Sequence, residues 1–418
     1  MKNILFIVID CLGYNAISGD KIQNYPFLNY LFSEGAFFSQ AISVDSTTSP
    51  SISSMLTGCY PFRHGVITLK GYYLRHKVPF LPEVLRDLGY NTYAEITGPL
   101  WPELGLSRGF DRYNYRDKKN YLLYDWGKNL KNKFASHYFK EPWFIFLHLW
   151  ELHRPRQILP TYNKNTYGAP YERSLKSLDH ALEILIQDSL DISKTIIIFT
   201  GDHGEHIENS IFDRKYKALI IKIYNQLNRY GLLENKRSTI YKNYFVGHGF
   251  SLLENLIRIP LLLIDKERIK GPLEIDFQIS HVDVLPTLLS LLKVKEFDMK
   301  IDGQTVLPYI MKGEVNSEHV AYMQACGIML PEYQWLEGIR YKGFKYIRYQ
   351  KDPRLGEWLY NIENDPDERK NIKDKYLLGI MRYKLDQIKK DSSIITEEKM
   401  GSDEIRELTK KLKELGYM

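Results

Sequence analysis

The sequence predicts an α/β protein built on a doubly wound, mostly parallel sheet, with a smaller α+β unit behind it. Three observations carry that expectation. Continuous apolar runs of strand length end in polar residues. Helical patterns lie between those runs, as in repeated strand–helix–strand units. Past about residue 313 the pattern changes to short aromatic strands and charged helices.

Residues 4–9 are uninterrupted apolar, as expected of a parallel strand covered on both faces, and the run ends at Asp10. Residues 143–149 form a second run that leads into Glu151 and His153. The third, residues 195–200, ends at Gly201-Asp202-His203-Gly204, and residues 259–264 form a fourth. Helical periodicity covers residues 80–88 and 173–190, and residues 288–292 close the layer. In such sheets ligands bind beyond the carboxyl ends of the strands. Asp10, His153, Asp202 and His203 all fall there, so one pocket can collect them. Residues 1–312 read as a catalytic α/β domain. Residues 313–418 read as an antiparallel-sheet and helix subdomain, with short strands in 341–349 and 358–362 and helices across 374–415. Residues 114–137 and 208–244 read as insertions that wall the pocket. For 208–244 a substrate loop and an ordinary surface excursion are both open.

Composition narrows the function. The chain has 418 residues, 44% of them apolar, enough for a large core. Net charge is +6, which permits an anionic substrate but supplies no basic arm for nucleic acid. No apolar stretch is long enough to span a bilayer. The opening apolar run is cut short by Asp10, too early for a signal peptide. Cys11, Cys59 and Cys326 lack metal or disulfide spacing, which fits a reducing compartment. The expectation is a soluble cytoplasmic protein.

Five elements bear chemistry. A carboxylate closing a strand, such as Asp10, is a metal ligand or the cap of the next turn. Adjacent Asp202 and His203 between glycines offer oxygen and nitrogen to one cation, or form a tight capped turn. The run Thr47-Thr48-Ser49-Pro50-Ser51 opens a helical stretch that stops at Gly58. A helix start can hold an anion, and a hydroxyl there can attack phosphorus or sulfur when a metal lowers its pKa. The bland alternative is that these hydroxyls only cap the helix. His153 and His248 complete the set.

In this order the motifs resemble the sulfatase family of the alkaline phosphatase superfamily. The resemblance rests on Asp10-Cys11-Leu12, on Ser49-Pro50-Ser51 through Leu56-Thr57-Gly58, and on Tyr60-Pro61 with His64-Gly65. It continues through Gly89-Tyr90-Asn91-Thr92, Gly105 to Asp111, His281 to Thr287, Asp302-Gly303 and Leu359 to Pro366. The resemblance implies metal ligation by Asp10, Thr48, Asp202 and His203, with Thr48 at the nucleophile. It implies that His153 meets the ester or protonates the leaving group, and that His248 binds substrate. One divalent ion is implied (Mn, Zn, Mg or Ca); a two-ion variant would add Glu151, His153 and His248. Arg258 reads as structural, pinned by a carboxylate.

Two departures shape the functional expectation. Sulfatases have Cys or Ser at the nucleophile, converted to formylglycine, with Arg four positions on; this chain has Thr48 and Ile52. Oxidation of threonine at its β-carbon gives a ketone, so no formylglycine is expected. Cys11 stands where many sulfatases have a second Asp, and reads as a small buried filler. The leading expectation is therefore attack by Thr48 on a phosphoester or phosphodiester, by hydrolysis or transfer. A sulfuric ester hydrolase is the alternative, and a catalytically silent anion-binding relative, favoured by Ile52, is another. The expected substrate is a small anionic ester, or a glycan or glycerol ester.

Overall fold

The computed structural model describes residues 1–116, 120–207, 219–220, 223, 226, 247–294, 299–313, 318–328, 331–391 and 399–417. The expected insertion at 208–244 lies almost wholly outside them.

Nine strands form the main sheet: β1 (Asn3–Ile9), β2 (Ala36–Ile42), β3 (Asn91–Ile96), β4 (Arg112–Tyr115), β5 (Trp143–Leu149), β6 (Thr195–Gly201), β7 (Arg258–Ile264), β8 (Leu273–Ile275) and β9 (Ile279–Ser280). The order is β4-β3-β5-β1-β6-β7-β2-β8, with β9 also on β2. From β4 to β6 every pairing is parallel. The expected doubly wound, mostly parallel sheet is therefore present. One run departs from it: β7 is antiparallel to both β6 and β2. The reason is local. The Gly204 amide donates to the Leu256 carbonyl at 2.7 Å, so the chain still lies at the carboxyl end of β6 when β7 begins. A strand starting there must run back.

Alternation along β1 shows why its whole run is apolar. Ile4, Phe6 and Val8 enter the core layer on one face, while Leu5, Ile7 and Ile9 enter the layer on the other. The first layer holds Ile52, Met55 and Leu56 of helix α2 (Thr48–Thr57). The second is covered by α1 (Pro26–Ser33), α3 (Asp125–Ala135) and α4 (Pro170–Ser189). Residues 114–137 are thus chiefly part of the fold. Trp126 and Leu130 of α3 are buried under the sheet, and the Arg116 guanidinium lies 3.5 Å over the Trp126 ring. Helix α5 (Val284–Leu291) closes the first layer.

Beyond residue 313 lies a four-stranded antiparallel sheet, β10 (Ala321–Ala325), β11 (Leu336–Tyr341), β12 (Phe344–Tyr349) and β13 (Glu357–Asn361), in that spatial order. The run 341–349 divides because Lys342 and Gly343 both have positive φ, 47° and 73°. That backbone suits the primed turn of a two-residue hairpin. Helix α6 (Lys375–Asp391) packs on this sheet through Met381 and Leu385. Helix α7 (Ser402–Glu414) does not stay with it. Leu408 and Leu412 bury in the same layer as β1 and α2, so the end of the chain returns to the main sheet. Among the described residues no helix is long and apolar enough to cross a membrane.

The two sheets are joined by polar contacts as well as apolar ones. Gln324 of β10 donates to the Val44 carbonyl and, through Nε2, to Asp45 Oδ2, both at 2.8 Å. Lys345 of β12 is fully buried between Glu254 Oε1, 3.2 Å away, and Glu368 Oε1, 2.7 Å away. Removing the cation leaves two buried carboxylates facing each other. Lys345→Ala is expected to lower stability by about 3–5 kcal/mol, read as a shift of the urea unfolding midpoint with unchanged slope.

Candidate active site

The site forms where β1 and β6 end side by side. Their pairing is in register up to Ile9 and Gly201, so the next residues, Asp10 and Asp202, emerge together. Gly201 and Gly204 let the loop close. A β-carbon at Gly201 would fall 2.1 Å from the Leu12 carbonyl oxygen, and one at Gly204 would fall 2.0 Å from that of Asn255. The Asp202 Oδ1 atom accepts from the Cys11 amide at 3.1 Å and from the His203 amide at 2.8 Å.

The serine- and threonine-rich run is sorted by the fold. Thr47 is the N-cap of α2 but makes no side-chain cap bond; its hydroxyl donates to Asp45 Oδ1 at 2.7 Å. Ser49 donates to the Pro99 carbonyl, Ser51 to the Asp45 carbonyl and Ser53 to the Ser49 carbonyl. Thr48 alone of these turns towards the strand ends. Its Oγ1 donates to Asp10 Oδ2 at 3.0 Å and lies 3.5 Å from His203 Nε2. The His203 Nδ1 atom is 2.8 Å from the Gly204 carbonyl and donates to it, which leaves Nε2 open towards Thr48.

Asp10, Asp202 and His203 offer ligand atoms within 4.8 Å of one another, all fully buried. The Asp202 Oδ2 atom has no hydrogen-bond partner among the described residues. Their ion-pair partners there are imidazoles, His148 and His203, rather than Lys or Arg. Burial holds both rings below the usual histidine range, His148 at about 4, so neither supplies a full positive charge at neutral pH. Burial, and then the charge of Asp202, push the Asp10 carboxyl well above the usual range. Two buried acids, a nitrogen donor and a bare carboxylate oxygen fit a divalent cation.

His153 and His248 line the open side. The His153 ring stacks on Trp150 with centroids 4.1 Å apart, and its Nδ1 donates to the Arg154 carbonyl at 2.8 Å. Burial and the neighbouring His248 hold His153 well below the usual range, so the resting ring is neutral. The His248 ring lies 4.3 Å from His203 and 5.4 Å from His153, centroid to centroid. Glu205 is buried 3.6 Å from His248 Nδ1. Burial opposes ionisation of Glu205, yet His248, Arg154 and Arg156 hold its carboxyl well below the usual range. All six expected site residues, Asp10, Thr48, His153, Asp202, His203 and His248, therefore meet in one cluster.

Other expectations change. Cys11 is more than a filler. Its backbone is left-handed, with φ 63°, and its thiol donates to Asp10 Oδ1 at 2.8 Å, 3.7 Å from His248 Nδ1. Burial and Asp10 push that thiol up. Cys11, His203 and His248 form a second set within 4.8 Å. Glu151 turns away from the second-ion position; it accepts from the Leu122 amide and faces Arg116. Ile52 is buried in the core and contributes no charge. Arg258 is pinned by the Ser39 carbonyl at 2.7 Å and the Tyr14 ring at 4.0 Å, rather than by a carboxylate salt bridge. Sequence reasoning missed His148, whose Nε2 is 3.8 Å from Asp10 Oδ2, and Tyr417, whose ring centroid is 5.2 Å from His153. His148 had a signal, as the next-to-last residue of an apolar strand run. Glu205 sat unremarked beside the Asp202-His203 motif.

A family model described as Sulfatase matches residues 2–294, and one described as N-sulphoglucosamine sulphohydrolase, C-terminal, matches residues 248–392. An ulvan-active sulfatase of Formosa agariphila is 23% identical, over 92% of this chain and 79% of that protein. The human N-acetylgalactosamine-6-sulfatase is 26% identical, over 48% of this chain and 50% of that one. Among solved structures, the phosphonate monoester hydrolase of Agrobacterium radiobacter superposes with a TM-score of 0.71 at 16% identity, covering 94% of this chain and 96% of that one. The protein Ps i-CgsB, in complex with k-i-k-neocarrahexaose, gives 0.69 at 18% identity, covering 100% and 99%. At these identities the structures establish a shared fold.

Buried neutral histidines have a pH consequence. Burial lowers His64 to about 3 and His281 to about 4, against 6.5 for a free ring. Below 6.5 the unfolded chain takes up protons that the folded chain refuses, so stability falls as pH drops from 6.5 towards 4. The expected result is a melting temperature that declines across that window, measured by calorimetry, with a shallower decline in His64→Gln.

Proposed function

This chain belongs to the sulfatase family, and from that premise we propose that it is a metal-dependent hydrolase of an anionic ester carried on a saccharide, with Thr48 as nucleophile. The observation that carries the reading is the convergence of Thr48 Oγ1 on Asp10 and His203, at the mouth of a buried acidic pair. A sulfate ester is the first reading for the substrate. The relatives named above act, by their names, on sulfated ulvan and on N-acetylgalactosamine 6-sulfate. A phosphoester or phosphonate is the second, favoured by the Thr48 methyl group, which bars the aldehyde, and by the fold shared with a phosphonate monoester hydrolase.

Asp10, Thr48, Asp202 and His203 would hold one divalent cation. Such an ion lowers the pKa of a bound hydroxyl and offsets charge on the transferring group. The protein's own groups do the rest. The Thr48 proton has an acceptor in place, Asp10 Oδ2 at 3.0 Å. Attack by Thr48 Oγ1 on sulfur or phosphorus breaks the bond to the leaving oxygen and leaves a Thr48 ester. His153 hands a proton to that leaving oxygen, and the anionic substrate beside it makes protonation of the neutral ring favourable. His248, backed by Glu205, contacts the ester's anionic oxygens. Water then releases the Thr48 ester. Most of the barrier is lowered by pre-placed charge and orientation.

Two measurements test this. Turnover of an aryl sulfate, an aryl phosphate diester and an aryl phosphonate is compared before and after EDTA treatment and with Mn²⁺ or Ca²⁺ restored. Chelation is expected to abolish activity, and Thr48→Ala to lower kcat at least ~10³-fold while elemental analysis still finds one bound ion. Full turnover by Thr48→Ala would remove Thr48 from the chemistry. Asp202→Asn is expected to weaken divalent-ion affinity by about 10- to 100-fold in calorimetry.

A further inference from the structure

The cluster around Thr48 holds the carboxylates Asp10 and Asp202, with Glu205 behind His248. Ile52, four residues after Thr48 on α2, is apolar and buried in the core, so it supplies no cation there. Among the described residues on the open side are His153, His248 and one residue from far along the chain, Tyr417.

Tyr417 is put there by an ordered helix ending. Gly416 has φ 88° and donates to the Lys413 carbonyl, and the Tyr417 amide donates to the Leu412 carbonyl, both at 3.0 Å. That pair of bonds is the Schellman turn, which reverses the chain after the last helical residue. Leu408 and Leu412 anchor α7 in the main core, and Lys411 pairs with Glu103 and Glu407. The Tyr417 ring then stands 5.2 Å from His153, 6.1 Å from His248 and 6.2 Å from Trp150, centroid to centroid. Its hydroxyl lies beside Thr48 and within electrostatic reach of Asp10, Cys11 and Asp202. That hydroxyl is buried; Thr48 is near enough to interact with it, but no described residue meets it with good hydrogen-bond geometry. A buried donor without a partner in a folded protein usually has one supplied by a ligand or water.

We propose that Tyr417 is a further catalytic residue, whose phenol donates a hydrogen bond to an anionic oxygen of the ester held over Thr48. The proposal rests on the hydrolytic reading above. A neutral donor suits this position because a cation is not needed to offset a single oxygen when the acidic pair already has its own ion. The Cys11 thiol and the Thr48 hydroxyl are committed to Asp10, so neither is free for the role.

The test compares the metal-loaded protein with Tyr417→Phe, which keeps the ring against His153, and with Tyr417→Ala. Affinity for inorganic phosphate and for orthovanadate is measured by calorimetry, beside kcat and KM on the best aryl ester. Tyr417→Phe is expected to weaken phosphate binding about tenfold and lower kcat about 10²-fold, with divalent-ion affinity and melting temperature unchanged. Unchanged anion affinity and kcat in Tyr417→Phe would overturn the proposal. So would a gain in kcat/KM and phosphate affinity in Tyr417→Ala, which would make the ring an obstruction. Failure of the wild type to bind either anion would also overturn it. If the wild type turns over no ester, the hydrolytic reading fails, while the anion titrations still decide what the Tyr417 hydroxyl does.

Discussion

The structure depends on one electrostatic constraint: two carboxylates, Asp10 and Asp202, buried together with only the imidazoles of His148 and His203, and no Lys or Arg, to pair with among the described residues. Burying one such charge is costly, and a second beside it makes the cost larger. The fold accepts that arrangement at the carboxyl ends of two adjacent parallel strands, where backbone amides of Cys11 and His203 already bind Asp202. A divalent cation held by Asp10, Asp202 and His203 would offset that charge. On the proposed reading, a cation there would also lower the pKa of the neighbouring Thr48 hydroxyl.

The surroundings serve that arrangement. The apolar strands around it are covered on both faces, so the strand ends cannot drift apart. The loop before α2 is tied to β10 through Gln324 and Asp45, and burial pushes the Asp45 carboxyl up to about 8. The small sheet thus braces the segment that delivers Thr48. Its own attachment through Lys345, Glu254 and Glu368 lies next in sequence to the loop carrying His248. Damage to that buried ion network is therefore expected to reach the site through two separate connections.

Much of this was legible in the sequence. Continuous apolar runs ending in Asp10 and in Asp202-His203 announce buried parallel strands with polar ends, because both properties are local to a few consecutive residues. The direction of β7 was not legible. Its composition matches its parallel neighbours, and only the position of the chain at Leu256 makes it run the other way. The hairpin at Lys342-Gly343 was hidden by a run of strand-forming residues on both sides of it. Arg258 was expected to meet a carboxylate and instead rests on a carbonyl and an aromatic ring, a choice made by what the fold places beside it.

By itself the sequence determined the class of fold and the family, and it pointed to Asp10, Asp202 and His203 as candidate ligands. These follow from spacing and from residue chemistry, which the linear chain carries intact. Tertiary structure decided where the neighbouring hydroxyls of Thr47, Ser49, Ser51 and Ser53 turn, that Cys11 joins the site, and that Tyr417 enters it from the end of α7. Those outcomes depend on side-chain direction and on contacts between residues tens to hundreds of positions apart. Neither is encoded in any short stretch of sequence, because packing of the whole core sets both.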